Sequence, residues 1–339
     1  MEKPKLNANN FKTYLGVVIS CAFLWLTFSK SHIEWAQLKP DGNATLFFCL
    51  AIAVFMVSIV VQAQRMKLLW LGNGRTFTSI HAYSSLMIGN FYNCTLPGNI
   101  GEGVRAWHFH KKNNIPFSAS LAGMMLEKWM DAQLLLLFIG GLFLFPYSHS
   151  WNVVYTAFLI MGAIILTVNI GFVLVLLNKR LLKYLIRLLP TYKLRAFTYI
   201  TFLNFKHLLF KMYKTKRLPV FMLGGIVLVF HNILQYFLIL KATHIGYPVN
   251  SFYTVYLLGC IMFVIAVIPS APSGVGVAHY SIYMALITAA GILGVTVSAH
   301  LNQMFAVAAI YLHLSCLLPQ VIPGVVFLIK EKNTLFNGS

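Results

Sequence analysis

The sequence predicts an all-α, polytopic membrane protein with about six full spans, two broken helical hairpins and both termini in the cytoplasm. Three observations predict this fold class. The mean hydropathy is +0.75 and only 10% of the residues are charged, whereas a soluble domain carries about 25% charged residues. Several uninterrupted apolar stretches approach or reach the roughly 17–25 residues that span a bilayer. Two further apolar segments are interrupted by proline and glycine, which end helices.

The number of full crossings depends on how the apolar stretches are counted. These stretches cover about 13–29, 44–63, 76–95, 117–145, 152–177, 218–241, 251–268, 280–297 and 300–329. Nine full crossings would put the basic segment "HFHKKNN" on the side opposite the other basic loops. Treating 76–113 and 251–297 as hairpins that enter and leave on one side leaves six spans. We expect the first stretch to be a retained span, because no small-residue cleavage site follows it.

The distribution of positive charge supports the hairpin topology. The chain has 26 Lys and Arg against 7 acidic residues, a net charge of +19. In the hairpin topology 21 of the 26 basic residues are cytoplasmic; Lys30, Lys39 and Lys241 are outside, and Arg105 and Lys128 lie at membrane depth. This is the positive-inside pattern. The net charge therefore reflects orientation and attraction to anionic lipid rather than binding of nucleic acid.

The segment 178–217 is a basic linker between the two halves of the chain. It combines leucines and aromatic residues with eleven Lys and Arg at near-helical spacing. Pro190 divides it into two short amphipathic helices, which we expect to lie on the cytoplasmic leaflet. The alternative is a solvated loop that only sets topology.

The two hairpins carry matching breaks. "LPGNIGEGVRAWHF" begins at Leu96, and "IPSAPSGVGVAHYSIYMAL" begins at Ile268. In them Pro97 and Gly101 match Pro272 and Gly276 at the same spacing.

We interpret the two halves as an inverted repeat within a single membrane domain, 1–339. The first repeat is about 13–177 with hairpin 76–113, and the second is about 218–330 with hairpin 251–297. Opposed repeats with Gly/Pro-broken segments meeting near the midplane are typical of secondary transporters. The alternative is that both breaks are ordinary turns at the membrane surface.

Both motifs resemble a known family. "LPGNIGEGVRAWHFHKKNNIPFSASLAGMMLEKWMD" resembles the first signature of the lysylphosphatidylglycerol synthase transmembrane-domain family, and "PSGVGVAHYSIYMAL" resembles the second. The resemblance covers nearly the whole chain. Two residues depart from the pattern: Lys128 stands where arginine is usual, which loses bidentate pairing, and His279 stands where glutamate is common.

The resemblance implies a lipid flippase-like protein of a bacterial or archaeal cytoplasmic membrane. In the multiple peptide resistance factor this domain is a flippase fused to a cytosolic aminoacyl-lipid synthase. The present sequence has no segment resembling that synthase, so we expect no aminoacyl transfer and no enzyme activity. The expected partners are membrane lipids with anionic or lipid-linked head groups, together with a possible biosynthetic enzyme.

The candidate substrate site combines the two breaks with the few charges at membrane depth. Glu102 and Arg105 share one face if a helix resumes after the first break. Glu127, ten residues past Phe117, would lie about 15 Å deep, near the midplane. The predicted substrate-binding residues are Pro97, Gly98, Gly101, Glu102, Arg105, Glu127, Lys128, Asp131, Pro272, Ser273, Gly274, Gly276 and His279.

In this site the restarted helices would offer free N–H groups to a phosphate, and Arg105 would supply the counter-charge. The acidic residues would hold Arg105 and Lys128, contact a cationic head group or carry a coupling proton. His279 would be a pH-sensitive or hydrogen-bonding substitute for glutamate. The alternative is a buried charge network that only fixes the packing of the hairpins.

Other chemistry has weaker support in the sequence. His108 and His110 face different sides of a helix, so we expect no metal site. Gly101-x-Gly103 lacks the context of a nucleotide loop, and we expect no cofactor. Besides the transporter, two alternatives remain: an integral-membrane transferase acting on a lipid-linked substrate, for which Glu34 and Asp41 are the outer-loop acids, and a non-catalytic partner that anchors a biosynthetic enzyme.

Overall fold

A computed structural model describes residues 21–22, 24–27, 29, 41–70, 77–96, 100–144, 153–265 and 274–331. Within these ranges all regular secondary structure is helical, which confirms the all-α fold class. The helices are α1 (Gly42–Trp70), α2 (Ser79–Thr95), α3 (Ile100–Asn113), α4 (Phe117–Leu142), α5 (Val153–Leu177), α6 (Lys179–Arg187), α7 (Tyr192–Lys214), α8 (Leu218–Ala242), α9 (Phe252–Ile265), α10 (Val277–Ile292) and α11 (Ala299–Lys330).

Four helices in the described part of the chain are long and apolar enough to cross a membrane. They are α1, α5 from Tyr155 onward, α8 and α11. The chain is therefore a multi-pass membrane protein. Two other predicted spans are not among these four. Helix α4 carries three charged residues, at 127, 128 and 131, and the stretch 13–29 lies mainly outside the described residues.

In the described part of the chain, helix ends lie beside both predicted breaks. Helix α2 ends at Thr95 and α3 begins at Ile100, while α9 ends at Ile265 and α10 begins at Val277. Helices α9 and α10 have 14 and 16 residues, so each is only about 21–24 Å long against a hydrocarbon core of about 30 Å. The predicted site residues that lie outside the described residues are Pro97, Gly98, Pro272 and Ser273.

Each pair of short helices forms an antiparallel hairpin. In the second, Val277 and Ala278 at the start of α10 pack against Ile261 and Met262 near the end of α9. In the first, His81 bonds Asn113 at 2.9 Å, and Ser85 bonds His108 at 2.7 Å.

The linker forms two helices divided at Pro190, as predicted. The Asn178 side chain accepts hydrogen bonds from the first backbone N–H groups of α6. Helix α7, however, packs extensively along α4. Phe197 stacks on Phe117, and Phe205 contacts Trp129 and Phe172. The second linker helix therefore buries one face against protein rather than lying wholly on a lipid surface.

The chain divides into two compact units. Unit 1 comprises Met1–Ile59, Met87–Val104 and Val229–Lys330, and unit 2 comprises Val60–Leu86, Arg105–Leu228 and Glu331–Ser339. Their limits differ from those of the predicted sequence repeats, and the inverted repeat stays a prediction.

The first hairpin predicts a sharp contrast between two glycines of α3. A Cβ at Gly101 would lie 1.9 Å from the Gly89 carbonyl oxygen, whereas a Cβ at Gly103 would meet nothing within 4 Å. We expect Gly101→Ala to lower the free energy of unfolding by about 3 kcal/mol through overpacking. Gly103→Ala should raise it by up to about 1 kcal/mol through helix propensity. Thermal unfolding in detergent measures both, and equal effects of the two substitutions would contradict the close approach of the helices.

Candidate functional site

In unit 1 the middle of α11 carries a stripe of polar side chains. His313, Cys316 and Gln320 are spaced three and four residues apart, which puts them on one face of the helix. We call these three residues the central stripe. Gln235 of α8 lies 3.4 Å from the Cys316 sulfur and donates a 2.9 Å hydrogen bond to Ser315.

Both hairpins contact the central stripe with the ends next to their breaks. The Cys94 thiol, one residue before the end of α2, lies 3.8 Å from the Gln320 side-chain oxygen. The ring of His279, in the first turn of α10, stacks on His313 with centroids 4.6 Å apart. Gln320 and His313 are seven residues apart, which is about 10 Å along α11. The ends of the two hairpins therefore meet one short section of a single helix.

The hairpins reach this section from opposite ends of α11. A Cβ at Gly324 would lie 2.6 Å from Phe91 Cβ, so α2 approaches from the C-terminal end of α11. Tyr283 donates a 2.7 Å hydrogen bond to Asn302, so α10 runs from the middle of α11 toward its N-terminal end. Each half-length hairpin thus ends beside the middle of the long helix.

Pro319 adds polar backbone to the same section. It lies inside α11 and has no N–H, so the carbonyl of Ser315 lacks its helical donor. A second proline, Pro323, has the same effect one turn later. The middle of α11 therefore combines polar side chains with backbone carbonyls that its own helix does not satisfy.

His279 caps the second hairpin. Its Nδ1 accepts a 3.3 Å hydrogen bond from the Gly276 backbone N–H. Gly274 and Gly276 have φ values of 71° and 85°, a left-handed region that favours glycine. A glutamate at this third helical position would accept the same hydrogen bond in a capping box. Histidine therefore preserves the acceptor that the family's usual glutamate would provide.

In unit 2, two buried ion pairs involve α4. Arg105 Nη2 donates to Glu127 Oε2 at 2.7 Å, and Arg65 Nη2 donates to Asp131 Oδ1 at 2.7 Å. Glu127 and Asp131 are four residues apart and share one face of α4. We call these four residues the ionic cluster. Three of its side chains are at most 4% exposed, and Asp131 is 31% exposed.

The structure separates some of the predicted site residues. Lys128 lies on an exposed face of α4, apart from the face that carries Glu127. Glu102, which is half-buried, and Arg105 are three residues apart on α3 and share a face of that helix, as predicted. Of the predicted set, the structure pairs Arg105 with Glu127 and Gly276 with His279. Asp131 pairs with Arg65, which the sequence analysis had assigned only to orientation.

Glu127 in the ionic cluster lies about one helical turn from the level at which α1 ends. A Cβ at Gly123 would lie 2.8 Å from the ring of Trp70, the last residue of α1. Glu127 is four residues further along α4, or about 6 Å beyond that level. These contacts give the level of Glu127 relative to α1, and its depth of about 15 Å in the bilayer stays a prediction.

Arg65 and His313 are the functional candidates that sequence reasoning missed. Arg65 lies just after the apolar stretch that ends at 63, so it was counted as a loop charge, yet α1 continues to Trp70. The adjacent glycines Gly224 and Gly225 were an available signal: they make room for the Arg65 side chain. His313 was a single histidine in an apolar stretch, with nothing to indicate its contact with His279.

The contacts of the two α3 histidines and of Asp41 are structural. His108 bonds Ser85, while His110 bonds the Ile115 carbonyl, so the two histidines turn to different partners as their spacing predicted. Asp41, outside the spans, accepts a hydrogen bond from the Ala44 N–H, which holds the pKa of its carboxyl below the usual value.

The ionic cluster predicts unequal costs for two neutral substitutions. Glu127→Gln leaves a buried arginine without its counter-charge and should lower the free energy of unfolding by about 3 kcal/mol. Asp131→Asn also leaves a buried arginine without its counter-charge, but water reaches the exposed end of this pair, so it should cost less, about 2 kcal/mol. In a double-mutant cycle, Arg105→Gln with Glu127→Gln should cost less than the sum of the single substitutions. Strict additivity in detergent unfolding would show that the pair is not coupled.

One of the three comparisons with known proteins finds a match. The model of a family described as the lysylphosphatidylglycerol synthase TM region matches residues 14–311. No match is found among curated proteins or among solved structures. The matched range includes the ionic cluster and both hairpins, and this family indicates a membrane lipid-related function. The chain belongs to the lysylphosphatidylglycerol synthase transmembrane-region family.

Proposed function

We propose that this protein moves an amphipathic lipid or a lipid-linked intermediate between leaflets, as a transporter and not as an enzyme. One observation carries the proposal: two half-length hairpins approach α11 from opposite ends and finish beside its polar middle. Backbone groups freed at helix breaks cannot face lipid, so they line protein or a wet cavity. Broken helices opposed in this way are the usual construction of a transport site.

The length of α11 suggests the depth of this section. Its 32 residues extend about 48 Å, more than the 30 Å hydrocarbon core. The central stripe therefore lies near the bilayer midplane if the helix crosses the membrane symmetrically. An inverted repeat with both termini in the cytoplasm accounts for the opposite approach of the hairpins and for the basic loops.

The ionic cluster is the head-group site of this proposal. Arg105 holds a carboxylate at 2.7 Å in a buried position, and a phosphate oxygen fits the same guanidinium fork. In this proposal Glu127 occupies the position that a lipid phosphate takes, so the carboxylate and the phosphate compete for Arg105. A group about 6 Å inside the end of α1 is at the depth where a lipid head group meets the hydrocarbon core. Binding of the head group begins there.

The sequence bears on the energy source of lipid movement. The sequence has no nucleotide-binding loop, so movement is facilitated or ion-coupled rather than driven directly by ATP. The family resemblance favours the cytoplasmic membrane of a prokaryote, and the basic loops favour cytoplasmic termini.

A second function, anchoring a biosynthetic enzyme as a non-catalytic partner, is favoured by the linker. Residues 178–217 hold eleven basic and no acidic residues, and Tyr184, Leu185 and Leu188 of that linker are exposed apolar side chains. Such a surface suits an acidic partner or anionic lipid. The transferase alternative has less support, because Asp41 caps α1 and pairs with His244 at 3.1 Å.

The proposal predicts opposite effects for the two members of one ion pair. We expect the wild-type protein in liposomes to exchange fluorescent anionic or aminoacylated lipids between leaflets. Arg105→Gln should slow exchange about tenfold or more, because a charge-assisted phosphate contact is lost. Glu127→Gln should not slow it, because its amide no longer competes with the phosphate. The measurement is the rate of leaflet exchange, below the unfolding temperature of every variant.

Lys67→Gln is the control for a lost cation outside the ionic cluster, since Lys67 bonds Ser79 instead. Equal loss of exchange in both folded ion-pair variants would identify the pair as structural only. If the folded wild-type protein exchanges no lipid, the transport proposal is wrong and the partner function takes its place. Truncation of the linker would then be the next test.

A further inference from the structure

The start of α10 depends on one nitrogen of a histidine ring. The Gly276 backbone N–H lies 3.3 Å from His279 Nδ1. Because a backbone N–H can only donate, Nδ1 is the acceptor, and the neutral ring carries its proton on Nε2. A second proton enters this ring only at Nδ1, where it turns the acceptor into a donor that faces another donor. Protonation of His279 and the cap of α10 therefore exclude each other.

The same ring is stacked on a second histidine. The rings of His279 and His313 are 21° from parallel, and their centroids are 4.6 Å apart. His313 is 7% exposed, and His279 is half-buried. Two like charges at this distance would repel each other strongly in a partly buried site. The pair can therefore hold one proton but not two.

The described helices packed against α10 offer the pair no carboxylate. Helix α10 packs against α9 and α11, and none of these three helices contains Asp or Glu. The other titratable side chains on them, and on α8 and α2 beside Cys316, are phenols, thiols, an exposed histidine and a terminal lysine: Tyr253, Tyr256, Cys260, Tyr280, Tyr283, His300, Tyr311, Cys316, Lys330, Tyr236 and Cys94. Phenols and thiols are mostly neutral at physiological pH. A proton on the pair has no counter-charge on α9, α10 or α11, so it is favoured only while water reaches the rings.

We propose that the His279–His313 pair binds one proton when water enters the second break, and that this proton releases the cap of α10. The proton comes from water and joins His279 Nδ1, and the hydrogen bond from the Gly276 N–H breaks. This role rests on the proposed lipid transport, because it names the proton as the ion to which that transport is coupled. The broken hairpin ends form the proposed transport site, so a proton that frees one of them changes that site.

The direction of the pH dependence follows from the hydrogen bond. The neutral ring caps α10, so the cap is complete at high pH and is lost as the pH falls. A glutamine at position 279 would offer a side-chain oxygen to the same N–H, as in a capping box. Its amide takes up no proton in this pH range. His279→Gln should therefore keep the cap at every pH and lose the response to protons.

The first test is hydrogen–deuterium exchange in the first turn of α10, with the purified full-length protein in detergent. The reporter is the Tyr280 amide, which donates to the Gly276 carbonyl at 2.9 Å. We expect its protection, corrected for the intrinsic pH dependence of exchange, to fall about fivefold in the wild-type protein, the worth of one capping hydrogen bond. The pH range is from about 7.5 to about 4, on either side of the ordinary histidine range. His279→Gln should show no fall, and His300→Gln, which removes an exposed histidine of α11, should behave as the wild-type protein does.

The second test is the rate of leaflet exchange at a high and a low pH, equal on both sides of the liposome. Wild-type exchange should be faster at the lower pH by about the same factor, whereas His279→Gln should not accelerate. The proton site is refuted if wild-type protection does not depend on pH, or if His279→Gln keeps that dependence. Coupling is refuted if the cap responds to pH while the rate of lipid exchange does not. A protein whose cap responds to pH but which moves no lipid at either pH would refute transport and support the proton site.

Discussion

Backbone groups freed at a helix break inside a membrane need polar partners, and this constraint explains most of the arrangement in unit 1. Both hairpins break at proline and glycine, and the ends next to the breaks lie beside the polar middle of α11. Gly101 and Gly324 allow the close helix contacts that bring the first hairpin there. His279 satisfies the first backbone N–H at the start of α10.

The ionic cluster in unit 2 obeys a related constraint, because a charge can be buried only with a counter-charge. Helix α4 supplies two carboxylates one turn apart, and two different helices supply the arginines. The pairs differ in access: one is closed to its surroundings, and the other is open at Asp131. Because of this difference, removal of the acidic partner should cost more stability in the first pair than in the second.

The sequence predicted those features that depend on local chemistry. Proline and glycine predicted where α2 and α9 end, hydropathy predicted the long spans, and Pro190 predicted the division of the linker. The sequence could not predict features that depend on how far one helix is displaced along another. The level of Glu127 relative to α1 is one such feature, because it depends on the packing of Gly123 against Trp70. Arg65 and His313 became visible only through partners far away in the chain.

The central claim is that both hairpins end deep within the membrane and are not surface turns. The most direct measurement is the distance from a nitroxide on each hairpin end to gadolinium-chelating lipid head groups, by pulsed electron paramagnetic resonance. The labels would replace Thr95 and Val275, one at a time, in a cysteine-free protein. The account predicts that both labels lie about 15 Å from the head groups of either leaflet. A label within about 7 Å of one leaflet, the thickness of its head-group region, would contradict the account.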